Sequence, residues 1–239
     1  VGVNYANDYS DGIRGTDQDR IGPRRLVGSG LINSNKVKLA AGVSFLIAAI
    51  AGLALAIMTS LMLILIGFLA ILAAWFYTGG SKPYGYLGYG EISVFVFFGL
   101  VATVGSSYVQ SQTIESISIL CSVPVGLLAT ALLVVNNYRD IETDSETGKQ
   151  TLAVRLGKAN TQMLFALLLL ASLGIYVLIA VLYTYLVLIT LAVSPLSLKL
   201  INHIYTKESA QDLIKILENT AKLHLLAGIL LSIGLVAGL

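Results

Sequence analysis

Charged side chains are scarce in this sequence, and their scarcity decides its class. The chain has 15 Lys and Arg and 13 Asp and Glu, so charged residues make up 12% of 239 residues. Soluble domains usually carry roughly 25%. Hydrophobic residues make up 56%, and the net charge is only +2. So little charge cannot cover a water-soluble fold, and it gives no basis for binding nucleic acid. We therefore expect an integral membrane protein whose surface contacts the lipid bilayer.

Cysteine and proline are also rare. A single cysteine, Cys121, excludes an internal disulfide, and its apolar neighbours predict a buried, inert thiol. Only four prolines are present. Two of them, Pro124 and Pro195, fall in the middle of apolar runs, where each is expected to kink a helix.

Long apolar runs predict an all-α, polytopic transmembrane helix bundle. A helix needs about 20 apolar residues to cross a bilayer, so the two longest runs each hold two helices. The predicted spans, about seven in all, lie near 36–58, 61–79, 91–110, 116–138, 160–181, 184–204 and 219–239. Residues 1–12 are interpreted as the end of an eighth. We expect one domain over residues 1–239.

The positions of the basic residues predict an orientation. All Lys and Arg fall within 14–38, at 82, within 139–158 and within 199–222, and the alternate connections contain none. Because cytoplasmic loops carry the excess of Lys and Arg, these stretches are expected on the cytoplasmic side. The prediction is a multi-pass protein of the cell membrane whose polar site faces the cytoplasm.

Two clusters of Asn and Asp residues stand at the ends of predicted helices. The first contains Asn4, Asn7, Asp8 and Asp11 and is followed by Asp17; the second contains Asn136, Asn137, Arg139, Asp140 and Asp144. Helical spacing predicts that Asp8 and Asp11 share one face, and that Asp140 and Asp144 share another. Stacked carboxylates at a membrane edge are costly unless cations compensate them. Mg²⁺ commonly joins one or two carboxylates to a substrate phosphate, so the clusters predict a magnesium–diphosphate site.

Basic and glycine-rich segments accompany the acids. Arg24, Arg139 and Lys149 lie in the predicted cytoplasmic stretches, and guanidinium and ammonium groups suit phosphate and carboxylate oxygens. The loop 77–91 combines five glycines with tyrosines and one lysine, and we interpret it as a cap over a polar pocket. The candidate substrate-binding residues are Asn4, Asn7, Arg24, Lys82, Tyr84, Asn137, Arg139 and Lys149.

Both clusters resemble the two Asp-rich motifs of the UbiA-type intramembrane prenyltransferase superfamily. Three longer segments, 19–27, 77–91 and 139–157, are similar to the branch that prenylates dihydroxynaphthoate in menaquinone synthesis. The resemblance covers essentially the whole chain. Family members typically have nine spans, which implies that this sequence lacks the first span and most of the second.

The resemblance implies roles for individual residues. Asp8 and Asp11 match the first metal motif, and Asp140 and Asp144 match the second, so these four are the candidate catalytic residues. The register of the first motif is ambiguous, and Asp17 is a further candidate metal ligand after a short insertion. Other matched positions are expected to hold diphosphate: Lys82, Arg139 and Lys149. The implied reaction is Mg²⁺-dependent transfer of a polyprenyl group from its diphosphate to an aromatic hydroxy acid.

Two alternatives remain open on the sequence. A related prenyltransferase would use another aromatic acceptor, such as a hydroxybenzoate, homogentisate or a naphthoquinone. A cation transporter would use the same carboxylates along its pathway, but its acids should lie near the bilayer midplane. Here they are predicted at the cytoplasmic ends of the helices, beside basic residues that suit phosphate.

Overall fold

A computed structural model describes residues 1–15 and 24–238. Within these ranges the regular elements are helices, which confirms the predicted all-α class. They are α1 Gly2–Arg14, α2 Ser34–Met58, α3 Met62–Phe76, α4 Gly90–Ser111, α5 Ser116–Arg139, α6 Ile141–Glu146, α7 Leu152–Leu182, α8 Ser194–Thr206 and α9 Ala210–Gly238. Short 3₁₀ segments cover Tyr84–Leu87 and Tyr185–Val193.

Six helical segments in the described part of the chain are long and apolar enough to cross a membrane. They are Ser34–Met58, Gly90–Ser111, Ser116–Arg139, Leu152–Leu182, Tyr185–Thr206 and Ala210–Gly238. Helix α3 corresponds to the span predicted near 61–79. It has only 15 residues, fewer than the roughly 20 of a full crossing. It ends at Phe76 because the Gly79-Gly80 turn follows, with Gly80 at a φ of 81°. The chain is therefore a multi-pass membrane protein.

The described chain forms two compact units. The first unit contains Val1–Gly90 and Glu142–Leu152, and the second contains Glu91–Ile141 and Ala153–Leu239.

In the first unit, α1 packs against α2 and α3. A Cβ atom on Gly12 would lie 2.4 Å from Val27 Cγ1, so only glycine lets the segment at Val27 lie directly over α1. This close approach brings the backbone N–H groups of Leu26 and Val27 to the side chain of Asp8. The absence of a side chain at Gly12 thus allows the backbone contacts that hold Asp8, a candidate site residue.

In the second unit, α4 and α5 meet through another close approach. A Cβ atom on Gly99 would lie 2.5 Å from the Cα atom of Gly126. Gly99 belongs to a π-helical segment, Phe95–Val101, inside α4, and such segments are frequent at functional sites. The contact places Glu91 of α4 beside Asn137 of α5. The apolar core of this unit includes the fully buried Phe165 and Tyr176.

Two local predictions need correction. Pro195 does not kink a continuous helix, because a 3₁₀ segment precedes it and Pro195 stands in the first turn of α8, where its missing N–H is not needed. Asp140 and Asp144 do not share a helix face. Helix α5 ends at Arg139, Asp140 is its C-cap with φ −95° and ψ 7°, and α6 begins one residue later. Because the chain leaves helical geometry at Asp140, the spacing of four no longer aligns the two side chains.

Candidate active site

Asp8 is buried in α1, and backbone amides satisfy both of its oxygens. Its Oδ2 atom accepts a hydrogen bond from the N–H of Leu26 at 2.9 Å, and Oδ1 accepts from Val27 at 3.0 Å. Asp8 therefore holds the segment at Leu26 and Val27 against α1, and it still has lone pairs for a ligand.

Asp11 lies one turn further along α1 and is also buried. Its Oδ1 atom accepts a hydrogen bond from the Tyr86 hydroxyl. The same oxygen lies 3.4 Å from the Nζ atom of Lys149, and that Nζ lies 3.7 Å from Oδ1 of Asp144. The first unit thus brings one carboxylate from each motif to a single ammonium group.

The Tyr86 ring forms one wall of this cluster. Lys149 Nζ lies 4.7 Å from the ring centroid, and the Arg14 guanidinium lies 5.3 Å from it, both within cation–π distance. Burial, and then the negative charge of Asp11, raise the pKa of the Tyr86 hydroxyl far above its usual value. Tyr86 therefore stays protonated and donates to Asp11.

Backbone contacts fix Lys149 relative to Tyr86. The N–H of Lys149 donates to the carbonyl of Asp144 at 2.8 Å, and the N–H of Gln150 donates to the carbonyl of Tyr86 at 2.9 Å. Gly148 precedes them at a φ of 78°, in the left-handed region that favours glycine. These bonds tie the segment that carries Asp144 and Lys149 to the glycine-rich loop.

The glycine-rich loop is also tied to α1 and α3. Arg14 donates to the carbonyls of Thr78 and Gly80, and the Thr78 hydroxyl donates to Oδ1 of Asn7 at 2.7 Å. The Tyr84 hydroxyl donates to the carbonyl of Ala73 at 2.8 Å. Tyr84 thus fastens the loop to the end of α3, whereas Tyr86 reaches the acids.

The part of the second motif at the end of α5 lies in the second unit, where neighbouring residues contact one another. Arg139 makes a two-pronged contact with Asp140, at 2.6 Å from Nε and 2.7 Å from Nη2. The same Nη2 atom donates to Asn136 at 3.0 Å. The guanidinium and the carboxylate therefore neutralise each other, and both are turned to the same side of the helix end.

Asn137 has a partner from another helix. Its Nδ2 atom donates to Oε1 of Glu91 at 3.0 Å. The second carboxyl oxygen of Glu91, Oε2, is buried and has no hydrogen-bond partner in the described structure. An unpaired buried oxygen is unfavourable, so Glu91 is a polar group kept inside an apolar span at a cost.

The remaining predicted site residues lie elsewhere. Asn4, Arg24 and Lys82 are exposed in the described structure. Asp17 lies outside the described residues. Sequence reasoning missed Tyr86 and Glu91. Tyr86 lies between two nearby glycines, Gly85 and Gly88. Glu91 is an acid at the start of an apolar run, which is a signal of function in membrane helices.

The donor set can be tested against a divalent cation. Within residues 1–15 and 24–238, no three Asp, Glu, His or Cys side chains converge closely enough to hold a metal ion. Asp11 and Asp144 do converge, through Lys149. Mg²⁺ is typically bound by one or two carboxylates together with substrate phosphates and water. The two acids therefore fit such an ion in the company of a phosphate.

Comparison with known proteins identifies the class. The profile of the UbiA prenyltransferase family matches residues 1–226. The chain belongs to this family of membrane prenyltransferases, whose members generally use divalent metal ions. It is 47% identical over 220 residues to 1,4-dihydroxy-2-naphthoate octaprenyltransferase of Mycobacterium tuberculosis, which covers 92% of this chain and 75% of that protein. The enzymes of the same name from Escherichia coli and Bacillus subtilis are 39% and 30% identical, over 97% and 98% of this chain and 78% and 76% of theirs.

Proposed function

We propose that this enzyme transfers a polyprenyl group from polyprenyl diphosphate to 1,4-dihydroxy-2-naphthoate, with loss of the acceptor's carboxylate as CO₂, in menaquinone biosynthesis. Three relatives with 30% to 47% identity are named 1,4-dihydroxy-2-naphthoate octaprenyltransferase, a name that gives the acceptor and the transferred group. The observation that carries the proposal is the meeting of Asp11 and Asp144 at Lys149. This arrangement suits a diphosphate, which needs both cations and basic groups.

The proposal assigns magnesium binding to the acidic residues. The candidate ligands are Asp8, Asp11 and Asp144 of the first unit and Asp140 of the second unit, with Asp17 outside the described residues. Bound Mg²⁺ would neutralise the charge that develops on the departing diphosphate. Lys149, Lys82 and Arg139 would bind its oxygens, because ammonium and guanidinium groups are strong donors to phosphate.

The chemistry is an electrophilic aromatic substitution. The bond between the prenyl carbon and the diphosphate oxygen breaks, and its electron pair leaves with the diphosphate. The electron-rich ring of the acceptor attacks the allylic cation, and loss of CO₂ restores the aromatic ring. The apolar helices exclude water, which would otherwise quench the cation. Arg24 is assigned to the acceptor's carboxylate, since a guanidinium fork matches that group.

The proposed location is the cell membrane, with the reacting groups facing the cytoplasm. The excess of Lys and Arg in alternate connections supports this orientation. Single cysteines placed in the Cys121→Ser background test it. A cysteine at the exposed Lys82 should react with a membrane-impermeant maleimide only from the cytoplasmic side, and a cysteine at the exposed Tyr185 only from the other side.

A side-by-side assay tests the proposed reaction. The enzyme, purified in lipid nanodiscs with Mg²⁺ and octaprenyl diphosphate, should prenylate dihydroxynaphthoate and release one CO₂ per product. Hydroxybenzoate and homogentisate should be turned over far more slowly. Faster turnover of either competitor would reassign the acceptor, and turnover that survives EDTA would remove the metal from the proposal.

A further inference from the structure

Lys149 is an unusual lysine because its side chain is almost wholly buried. Its side chain is 11% exposed, between Asp11 and Asp144, which are exposed to a similar degree. Lysines are almost never buried unless they are paired. The two acids therefore account for the position of Lys149, and the Lys149 ammonium is a cation that balances their charge in the ligand-free chain.

The ammonium group is placed between the acids without being tightly bound to either. Its distances of 3.4 Å to Asp11 and 3.7 Å to Asp144 exceed the usual 2.7–3.2 Å of an N–H···O hydrogen bond. A further contact of the Lys149 ammonium group is with the face of Tyr86, at 4.7 Å from the ring centroid. The ammonium group is held by charge attraction to the two acids and by the face of the Tyr86 ring. Both interactions depend only weakly on the orientation of the ammonium group.

Only the backbone of Lys149 is firmly fixed. Its N–H bonds to Asp144, and the next N–H bonds to Tyr86. The side chain beyond Cα has four rotatable bonds, so the ammonium can swing while the backbone stays in place. Lys149 thus combines a fixed backbone with a mobile side-chain charge.

We propose that Lys149 is the resident counter-cation of Asp11 and Asp144, and that it moves from these acids to the donor's phosphate when metal and diphosphate bind together. This inference rests on the proposed function, because it takes these acids as metal ligands. A divalent ion and an ammonium group repel each other and cannot share one position between two carboxylates. Metal alone must displace Lys149 without compensation, whereas metal with diphosphate offers the ammonium a new anionic partner.

The site therefore selects metal-loaded diphosphate over free metal. Charge exchange of this kind couples the two ligands, so each binds more tightly in the presence of the other. Lys149 is a positioning and specificity residue in this scheme: it keeps the acids paired and apart from free metal until the substrate arrives.

Direct metal binding tests this inference. Mn²⁺ binding is measured by the EPR signal of the free ion, with the protein in phosphatidylcholine nanodiscs and without any diphosphate. Lys149→Met should bind Mn²⁺ about ten-fold or more tightly than the wild type, as expected for a typical coupling between sites. A Lys149→Met protein that binds Mn²⁺ no more tightly than the wild type would overturn the inference.

A matched lysine in the same unit provides the control. Lys38 Nζ lies 5.4 Å from the centroid of the Tyr9 ring, a similar cation–π contact, but it has been assigned no role in binding. Lys38→Met should leave Mn²⁺ affinity unchanged. An equal rise in both variants would show that loss of any positive charge suffices, and the inference would fail.

Two further measurements keep the test decisive. If Lys149→Met does not fold, as judged by gel filtration and circular dichroism, Lys149→Gln removes the charge and retains a hydrogen-bond donor for Asp11. The same rise in affinity is expected of it. Addition of Asp144→Asn to either variant should abolish the gain; a gain that persists would place the metal elsewhere. If the wild-type enzyme shows no prenyl transfer while this pattern of Mn²⁺ affinities holds, the proposed function fails and the counter-cation role stands.

Discussion

In the first unit, Asp8 and Asp11 take their hydrogen bonds from groups that are distant along the chain, whereas Asp140 in the second unit pairs with the adjacent Arg139. The difference concerns what must fold before each acid is in place. The contacts of Asp8 and Asp11 form only after α1, the segment at Val27 and the loop at Tyr86 have come together. The pair of Arg139 and Asp140 forms within one helix end.

The two motifs look alike in sequence, but their acids are held in place in different ways. The first is organised by tertiary contacts, so its geometry is sensitive to remote substitutions. In the second motif, Asp140 has the adjacent Arg139 as a neutralising partner, whereas Asp144 belongs to the cluster at Lys149. Substitutions at the carboxylates, at Tyr86, which donates to Asp11, and at Glu91, the distant partner of Asn137, test that contrast.

The largest effect is expected at the acids that meet Lys149. Asp11→Asn or Asp144→Asn removes a negative charge from the proposed metal site and should lower kcat by about 100-fold or more, as is usual when a group that stabilises transition-state charge is lost. Prenyl transfer by the purified variants measures this. Glu142→Gln is the matched control, since Glu142 is exposed and only two residues from Asp144, and it should retain activity. Near-normal turnover by Asp11→Asn would remove the first motif from the chemistry.

A smaller effect is expected at Tyr86. Tyr86→Phe keeps the ring beneath Lys149 but removes the hydroxyl that donates to Asp11. A lost hydrogen bond to a charged group costs about 1.5–3 kcal/mol, so we expect a lower unfolding temperature. Activity should also fall, but by less than for Asp11→Asn, because Asp11 keeps its charge and loses only a donor that orients it. Thermal unfolding in detergent and steady-state kinetics provide both readouts.

The neighbouring Tyr89 separates a specific effect from a general one. Tyr89 is 55% exposed, so Tyr89→Phe should change neither stability nor activity. If the two substitutions behave alike, the Tyr86 hydroxyl does not support Asp11, and the first motif is less dependent on tertiary contacts than the contrast requires.

The sequence predicted what depends on composition and short-range pattern. The all-α membrane fold follows from apolar runs. It did not predict the meeting of Asp11 with Lys149, because that contact needs the loop geometry at Gly148 and the docking of Gln150 on Tyr86. The supposed shared face of Asp140 and Asp144 failed for a local reason, the end of α5 at Arg139.

The smallest effect is expected where the second motif makes its long-range contact. Glu91 accepts a hydrogen bond from Asn137 through Oε1, while its Oε2 is buried without a partner. Glu91→Gln preserves an oxygen for Asn137, so stability should change by less than about 1 kcal/mol. Glu91→Leu leaves the amide of Asn137 unpaired and should cost about 1–3 kcal/mol. Thermal unfolding of both variants in detergent measures the difference. Glu91→Gln retains the contact with Asn137, whereas Tyr86→Phe deletes the contact with Asp11. If Glu91→Gln nevertheless lost more stability than Tyr86→Phe, Asn137 would depend on Glu91 at least as strongly as Asp11 depends on Tyr86.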